Sequence, residues 1–379
     1  MNKRDFLRAA MGLPLSAYPM LSTSAIDSPP LAPTETNQQG LLLSASDNRQ
    51  GEHFVSWQTL SATNKYQLPI AWRGHGLAQH PQHKNKVVMF ARRPGTVCYV
   101  LDWQTQRVQQ SFKSQANHHF CGHGCFSQEG RYLFTSEMDY QTGRGKIGIR
   151  DTQNYRYLGA YDTQGTDPHD IHLLNDGKTL VVANGGILTH PNSGRKKLNL
   201  ATMQSSLVLL DAFSGEIREQ FTTPWQHASM RHLAVGQDDT VSIAIQYQRE
   251  GVEHDDVLPL SALLKKGADR ITFNQADEVL WAQLNDYIGS TAINDRYGLA
   301  GFTSPQGNLA AFWHLDGTFA AYHRMRDVCG LAITLDQRHF VLSSSTGELR
   351  YIDAQHLQEV RELRQTFPQT QWDNHLLII

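Results

Sequence analysis

The sequence predicts an all-β fold: a seven-bladed β-propeller of four-stranded antiparallel blades, closed by its N- and C-terminal strands in one shared blade. Three observations predict it. Apolar segments are short and alternating, with turn residues every ~8 to 12 positions, which is strand and not helix periodicity. The pattern recurs at roughly 40 to 60 residues, a period typical of repeat architectures. The two ends of the chain each carry part of one further unit.

Taken in order, residues 1–25 ("MNKRDFLRAAMGLPLSAYPMLSTSA") read as an export signal. Lys3 and Arg4 precede a modest apolar stretch from Ala9 to Leu21, and "TSA" supplies small residues for cleavage. "NKRDFLR" is similar to a twin-arginine signal with Lys3 in place of the first arginine, so periplasmic localisation is expected and the Sec route stays open. Residues 26–39 form a Pro/Thr/Gln-rich linker. One propeller domain is expected over residues 40–379.

Six blades open with "GHGLAQHPQHKNKVVMFAR", "GHGCFSQEGRYLFTSE", "HDIHLLNDGKTLVVAN", "MRHLAVGQDDTVSIAIQ", "GSTAINDRYGLAGFTS" and "CGLAITLDQRHFVLSSS". Each reads as an inner strand, a turn and a β-branched or aromatic second strand. Third strands end in an apolar pair and Asp, as in "VCYVLD", "KIGIRD", "SLVLLD" and "LRYID". The remaining blade combines "GLLLSASDNRQGEHFVSWQT" from the start with "DNHLLII" from the end. Such closure leaves no exposed end strand. Two insertions interrupt the rhythm: Gly185 to Ser206 in the fourth blade and Arg249 to Phe273 in the fifth. Loops of that length are either functional or simply solvated.

Net charge is -2 and charged residues are 18%, which gives no electrostatic footprint for nucleic acid. No apolar run reaches the ~20 residues of a membrane span. Export would place Cys98, Cys121, Cys125 and Cys329 in an oxidising compartment. Cys121 and Cys125 on one extended strand would lie beyond the ~7 Å Cα limit, and no bridge is predicted. No GxSxG, Walker A or CxxCH motif is present.

Histidine is the outlier, at 18 residues. Aligning the openings places His75, His123, His169, Asp170, His172, Arg231, His232, Cys329 and His375 near the start of inner strands, at one mouth of the channel. Alternation along a strand should keep adjacent residues from all pointing inward. Three readings stand. These groups are satisfied by neighbouring blades and channel water. Or His75, His123, His169, Asp170, His172, His232 and His375, with Glu137 in support, hold a transition metal such as Fe, Cu or Zn. Or a small anionic or organic ligand binds through histidine, Arg92 and Arg231, under an overlying loop that carries His190, Arg195 and Asn199, with Asn184 beside it.

"GHGCFSQEGRYLFTSEMDY", the run from "DPHDIH" to "SSLVLLD", "MRHLAV", "DVCGLA" and "WDNHLL" together resemble the bacterial family called domain of unknown function 1513, over about Gly40 to Ile379. The resemblance implies a twin-arginine-exported periplasmic seven-bladed propeller associated with imelysin-type iron-uptake proteins, with no assigned catalytic residues. The expected function is therefore non-catalytic: binding of a metal ion or of an imelysin-like partner in iron or metal acquisition. The alternatives are a metal-dependent enzyme, lactonase-like or a copper or iron oxidoreductase, and a pure interaction scaffold.

Overall fold

The computed structural model describes residues 40–60, 65–250, 252 and 256–379. The expected export signal and linker lie outside them. Seven antiparallel sheets are arranged around a ring. Blade 1 contains Leu41–Asp47, His53–Thr59 and Tyr66–Ile70, and takes its inner strand from Gln371–Trp372 and Leu377–Ile378. The inner strands of blades 2 to 7 are Gly74–Gln79, His118–Phe126, Pro168–Leu173, Ala228–Val235, Ser290–Asn294 and Val328–Ile333. Each packs beside the inner strand of the next blade. Among the described residues no helix is long and apolar enough to cross a membrane.

The second strands explain why the sequence is legible as blades. In Lys86–Ala91, Val87 and Met89 pack toward blade 1 while Val88 and Phe90 pack toward blade 3. A strand sandwiched between two neighbours buries both faces, so it reads as a continuous apolar run. The apolar core is accordingly divided into seven clusters, one at each blade interface. Full burial of each Leu, Val or Phe there contributes about 1.5–3 kcal/mol.

Closure of the ring uses an interrupted strand. Ser46 pairs with Trp372 and Leu42 with Ile378, and Ile379 exchanges both backbone hydrogen bonds with Leu41 at 2.8 and 3.0 Å. Asp373 to Leu376 lie between these two paired stretches.

The fifth-blade insertion is shorter than the sequence suggests. Ser261–Leu264 and Thr272–Phe273 are the third and fourth strands of that blade. With only four and two residues inside a charged stretch, neither shows a strand period. The sequence reading also misses the helix Glu278–Gln283, which Asp277 caps by accepting from the Leu280 amide at 2.8 Å.

Candidate metal centre

Five of the six inner strands of blades 2 to 7 carry a register irregularity: between Gly74 and Leu77, Phe120 and Gly124, Pro168 and Asp170, Met230 and Leu233, and Val328 and Leu331. Only Ser290–Asn294 is regular. Bulges re-aim side chains and suspend strict alternation. Four of these breaks and the gap in blade 1 deliver the histidines of the centre, and adjacent residues such as Arg231 and His232 both reach the channel. The alternation rule used on the sequence fails at these breaks.

His75, His123, His169, His232 and His375 converge. Their ring centroids are separated by 4.4 Å (His75–His375), 4.5 Å (His123–His375), 4.6 Å (His232–His375), 4.7 Å (His169–His232) and 5.0 Å (His75–His123). Two glycines make this density possible. A Cβ on Gly76 would sit 2.8 Å from His123 Nδ1, and one on Gly122 would sit 2.6 Å from His75 Cδ2. Gly122 also has φ +116°, which side chains rarely adopt.

Buried carboxylates orient two of the rings. Asp373 Oδ1 is 2.6 Å from His75 Nδ1, and Asp170 Oδ1 is 3.1 Å from His123 Nδ1. Each carboxylate accepts a hydrogen bond from Nδ1–H and leaves Nε2 with its lone pair free, the arrangement found behind metal-bound histidines. His75 Nε2 faces His375 Nε2 at 3.2 Å, while His123 Nε2, His169 Nδ1 and His232 Nδ1 are buried and make no hydrogen bond. Burial pushes the His75 pKa down to about 4, against the opposing pull of Asp373. Burial, followed by crowding from neighbouring cationic and imidazole groups, holds His169, His232 and His375 well below the usual histidine range. Neutral imidazole is the metal-ligating form.

Three sets of ligand atoms lie within 4.8 Å of one another: His75, His123 and His375; His75, His169 and His232; His123, Asp170 and His232. They draw on one cluster. Asp170 Oδ2 accepts from the Leu233 amide at 2.9 Å and Oδ1 from the Ile171 amide at 2.8 Å. With both oxygens engaged, Asp170 is placed to orient His123. His172 stands 3.4 Å from Asp170 Oδ1, outside the ring, and faces the wider of two cavities that flank the layer.

The histidine layer lies between two cavities and not at one mouth. Following each inner strand, residues before the layer line a small cavity of about 20 Å³, and residues after it line a wider one of about 460 Å³. The small cavity brings together Arg92, Arg195 and Arg231 from the predicted set, with Arg93, which the sequence reading missed. The wider one has a mixed wall, with apolar side chains such as Leu77, Leu233, Ile293 and Leu331 beside polar ones such as His172 and Thr291.

Other expected residues lie elsewhere. Asn184 donates to Thr163 O at 3.2 Å and Ser206 Oγ at 3.1 Å inside blade 4. Asn199 accepts from the Leu188 amide at 2.7 Å and donates to Gly186 O at 2.8 Å, fixing the overlying loop. His190 caps the turn Pro191–Ser193 through the Asn192 amide and lies 4.9 Å from the Tyr140 ring. Glu137 is paired with Arg150 at 2.5 Å, both fully buried in blade 3. An acid in an apolar strand needs a partner, and here that partner is a cation and not a metal. Cys329 donates toward Trp372 O at 3.4 Å, and all four cysteines are free.

The missed residues are chiefly carboxylates. Asp373 lies two positions before His375, and Asp167 two before His169. Their signal was an acidic residue two positions before an inner-strand histidine, present at His169 and His375 but not at His75, His123 or His232. Asp167 bridges Arg93 and Arg231 at 2.5 and 2.6 Å.

The fold and the site together define a seven-bladed propeller with a carboxylate-backed histidine layer across its channel. Residues 68–379 match the profile of the family described as Protein of unknown function (DUF1513), and the chain belongs to that family. No curated protein matches the chain.

Proposed function

We propose that this propeller binds a transition metal at its histidine layer and acts in metal acquisition without catalysis of its own. The observation that carries the reading is the 3.2 Å separation of His75 Nε2 and His375 Nε2, with Asp373 behind His75. Two nitrogens bound to one ion at ~2.0–2.1 Å stand about 3 Å apart. Imidazole donors favour Zn, Cu or Fe, whereas Ca and Mg favour oxygen. His75, His123 and His375 would hold the ion, Asp373 and Asp170 would keep two of these rings oriented, and His169 and His232 offer a further pair of donors. Iron uptake, with an imelysin-like exchange partner in the periplasm, is the setting that the family resemblance implies.

The test is equilibrium loading of tag-free protein with Zn(II), Cu(II) or Fe(II), one at a time. Bound metal is measured by mass spectrometry and stabilisation by melting. Saturation at a hundredfold excess over Kd stabilises a protein by about 2.7 kcal/mol. The expected result is stoichiometric retention of at least one metal, lost in His75→Ala/His123→Ala. Wild-type protein that retains none, or a folded double variant that retains as much as wild type, would overturn the proposal.

A further inference from the structure

We infer that the small cavity on the loop side of the histidine layer is a binding site for a planar oxyanion, carbonate or the carboxylate of a small organic acid. Its floor is His75, His169 and His232, and Arg92, Arg195 and Arg231 surround it. Four guanidinium groups, counting Arg93, face two carboxylates in this region. Asp167 is shared between Arg93 and Arg231, and Asp373 among His75, Arg73 and Arg92. Arg195 has no carboxylate within 4.0 Å among the described residues. The site therefore carries more positive than negative charge before any ligand arrives.

A second observation points to a ligand. Arg231 is 3% exposed, and its Nε is buried without a hydrogen-bond partner. An unpaired donor of a buried guanidinium is costly unless an acceptor meets it. The guanidinium fork matches a planar carboxylate with two parallel hydrogen bonds. Burial, and then repulsion from Arg92 and Arg93, lowers the Arg195 pKa, a strain that an anion would relieve. Size narrows the class further. The cavity is small, about 20 Å³ against the ~10–15 Å³ that one water needs, so the remainder of a larger acid would have to extend past Arg195. The loop bearing Arg195 is held by Asn199 and His190, so it is set for binding in advance.

The positive charge of the anion site comes from its arginines. The site touches the metal proposal at one point, since its floor includes His75, His169 and His232 of the histidine layer. If both ligands bind, each should raise the affinity of the other by the same factor.

The experiment is calorimetric titration of chelator-treated and of metal-loaded protein with bicarbonate, acetate and citrate, with chloride and sulfate as controls at matched ionic strength. Bicarbonate or a carboxylate should bind the chelator-treated protein, and Arg195→Gln should weaken that binding about tenfold. Bicarbonate binding without acetate or citrate assigns the site to carbonate, and citrate binding assigns it to an organic acid. Equal responses to chloride, sulfate and the carboxylates would overturn the inference. So would unchanged affinity in folded Arg195→Gln and in Arg92→Gln. Anion binding without metal retention would leave this inference standing and remove the metal reading, and the reverse result would do the opposite.

Discussion

His75 Nδ1 and Asp373 Oδ1 meet at 2.6 Å across 298 residues of sequence. One belongs to the inner strand of blade 2, the other to the gap in the strand that closes blade 1. The contact therefore joins the start of the ring to its end and orients a candidate ligand. Arg73 and Arg92 stand on the other oxygen of Asp373 at 3.2 and 3.7 Å. Burial alone would raise that carboxyl's pKa, but His75 and the two arginines hold it well below the usual range.

Asp373→Asn should weaken metal binding about 10- to 100-fold, the usual effect of losing a carboxylate behind a metal-bound histidine. Competition titration against a chromophoric chelator measures it. Unchanged affinity in a folded variant would show that Asp373 serves ring closure alone.

Gly76→Ala should impair the site more than the fold. The added Cβ would lie 2.7 Å from Gly122 O and 2.8 Å from His123 Nδ1, so the His123 ring must move. Overpacking of this kind costs about 1–3 kcal/mol. The expected outcome is a protein that melts cooperatively at a modestly lower temperature and binds metal much less tightly.

Trp372→Ala should destabilise the whole ring by about 3–5 kcal/mol, the range for removing a buried aromatic. Trp372 is 2% exposed and packs between blades 1 and 7, where the two chain ends are fastened. Denaturant unfolding gives the figure. A loss confined to local fraying, with the midpoint unchanged, would contradict this role for the closing strand.

Arg150→Met should cost about 3–5 kcal/mol at neutral pH, because it strands Glu137 without its partner. Burial already raises the Glu137 pKa, against the pull of Arg150. In the variant nothing of that pull remains. The folded state then holds a proton on Glu137 over a pH range where the unfolded state has released it, so stability falls as pH rises through that window. The variant should thus approach wild type in acid and diverge toward neutrality. Adding Glu137→Gln should recover much of the loss and flatten the pH dependence.

The blades were legible because a second strand pressed between two neighbours must be apolar on both faces. Val87 to Ala91 and Leu180 to Ala183 show this without any knowledge of contacts. The histidines were legible for the converse reason: His75, His123, His232 and His375 are polar groups where a propeller needs strand. Their supporters were less visible. Asp373 reaches His75 only through ring closure, and Asp167 reaches Arg231 across 64 residues. In the overlying loop Asn199 and His190 looked like Arg195, since residues that shape a loop and residues that face a ligand share one chemistry. Only coordinates separate them. The strand Ser261–Leu264 was hidden because four residues carry too little period to stand out from charged surroundings.

The interruption in the closing strand also dictates when the site can exist. Asp373 and His375 follow every other residue of the histidine layer in the chain, so they leave the ribosome after them. Until those residues emerge, blade 1 lacks its inner strand, His75 lacks its carboxylate and the layer lacks one imidazole. A nascent chain can fold six blades and still offer no finished centre. Any ion that needs the whole layer must wait until that inner strand has emerged and closed the ring.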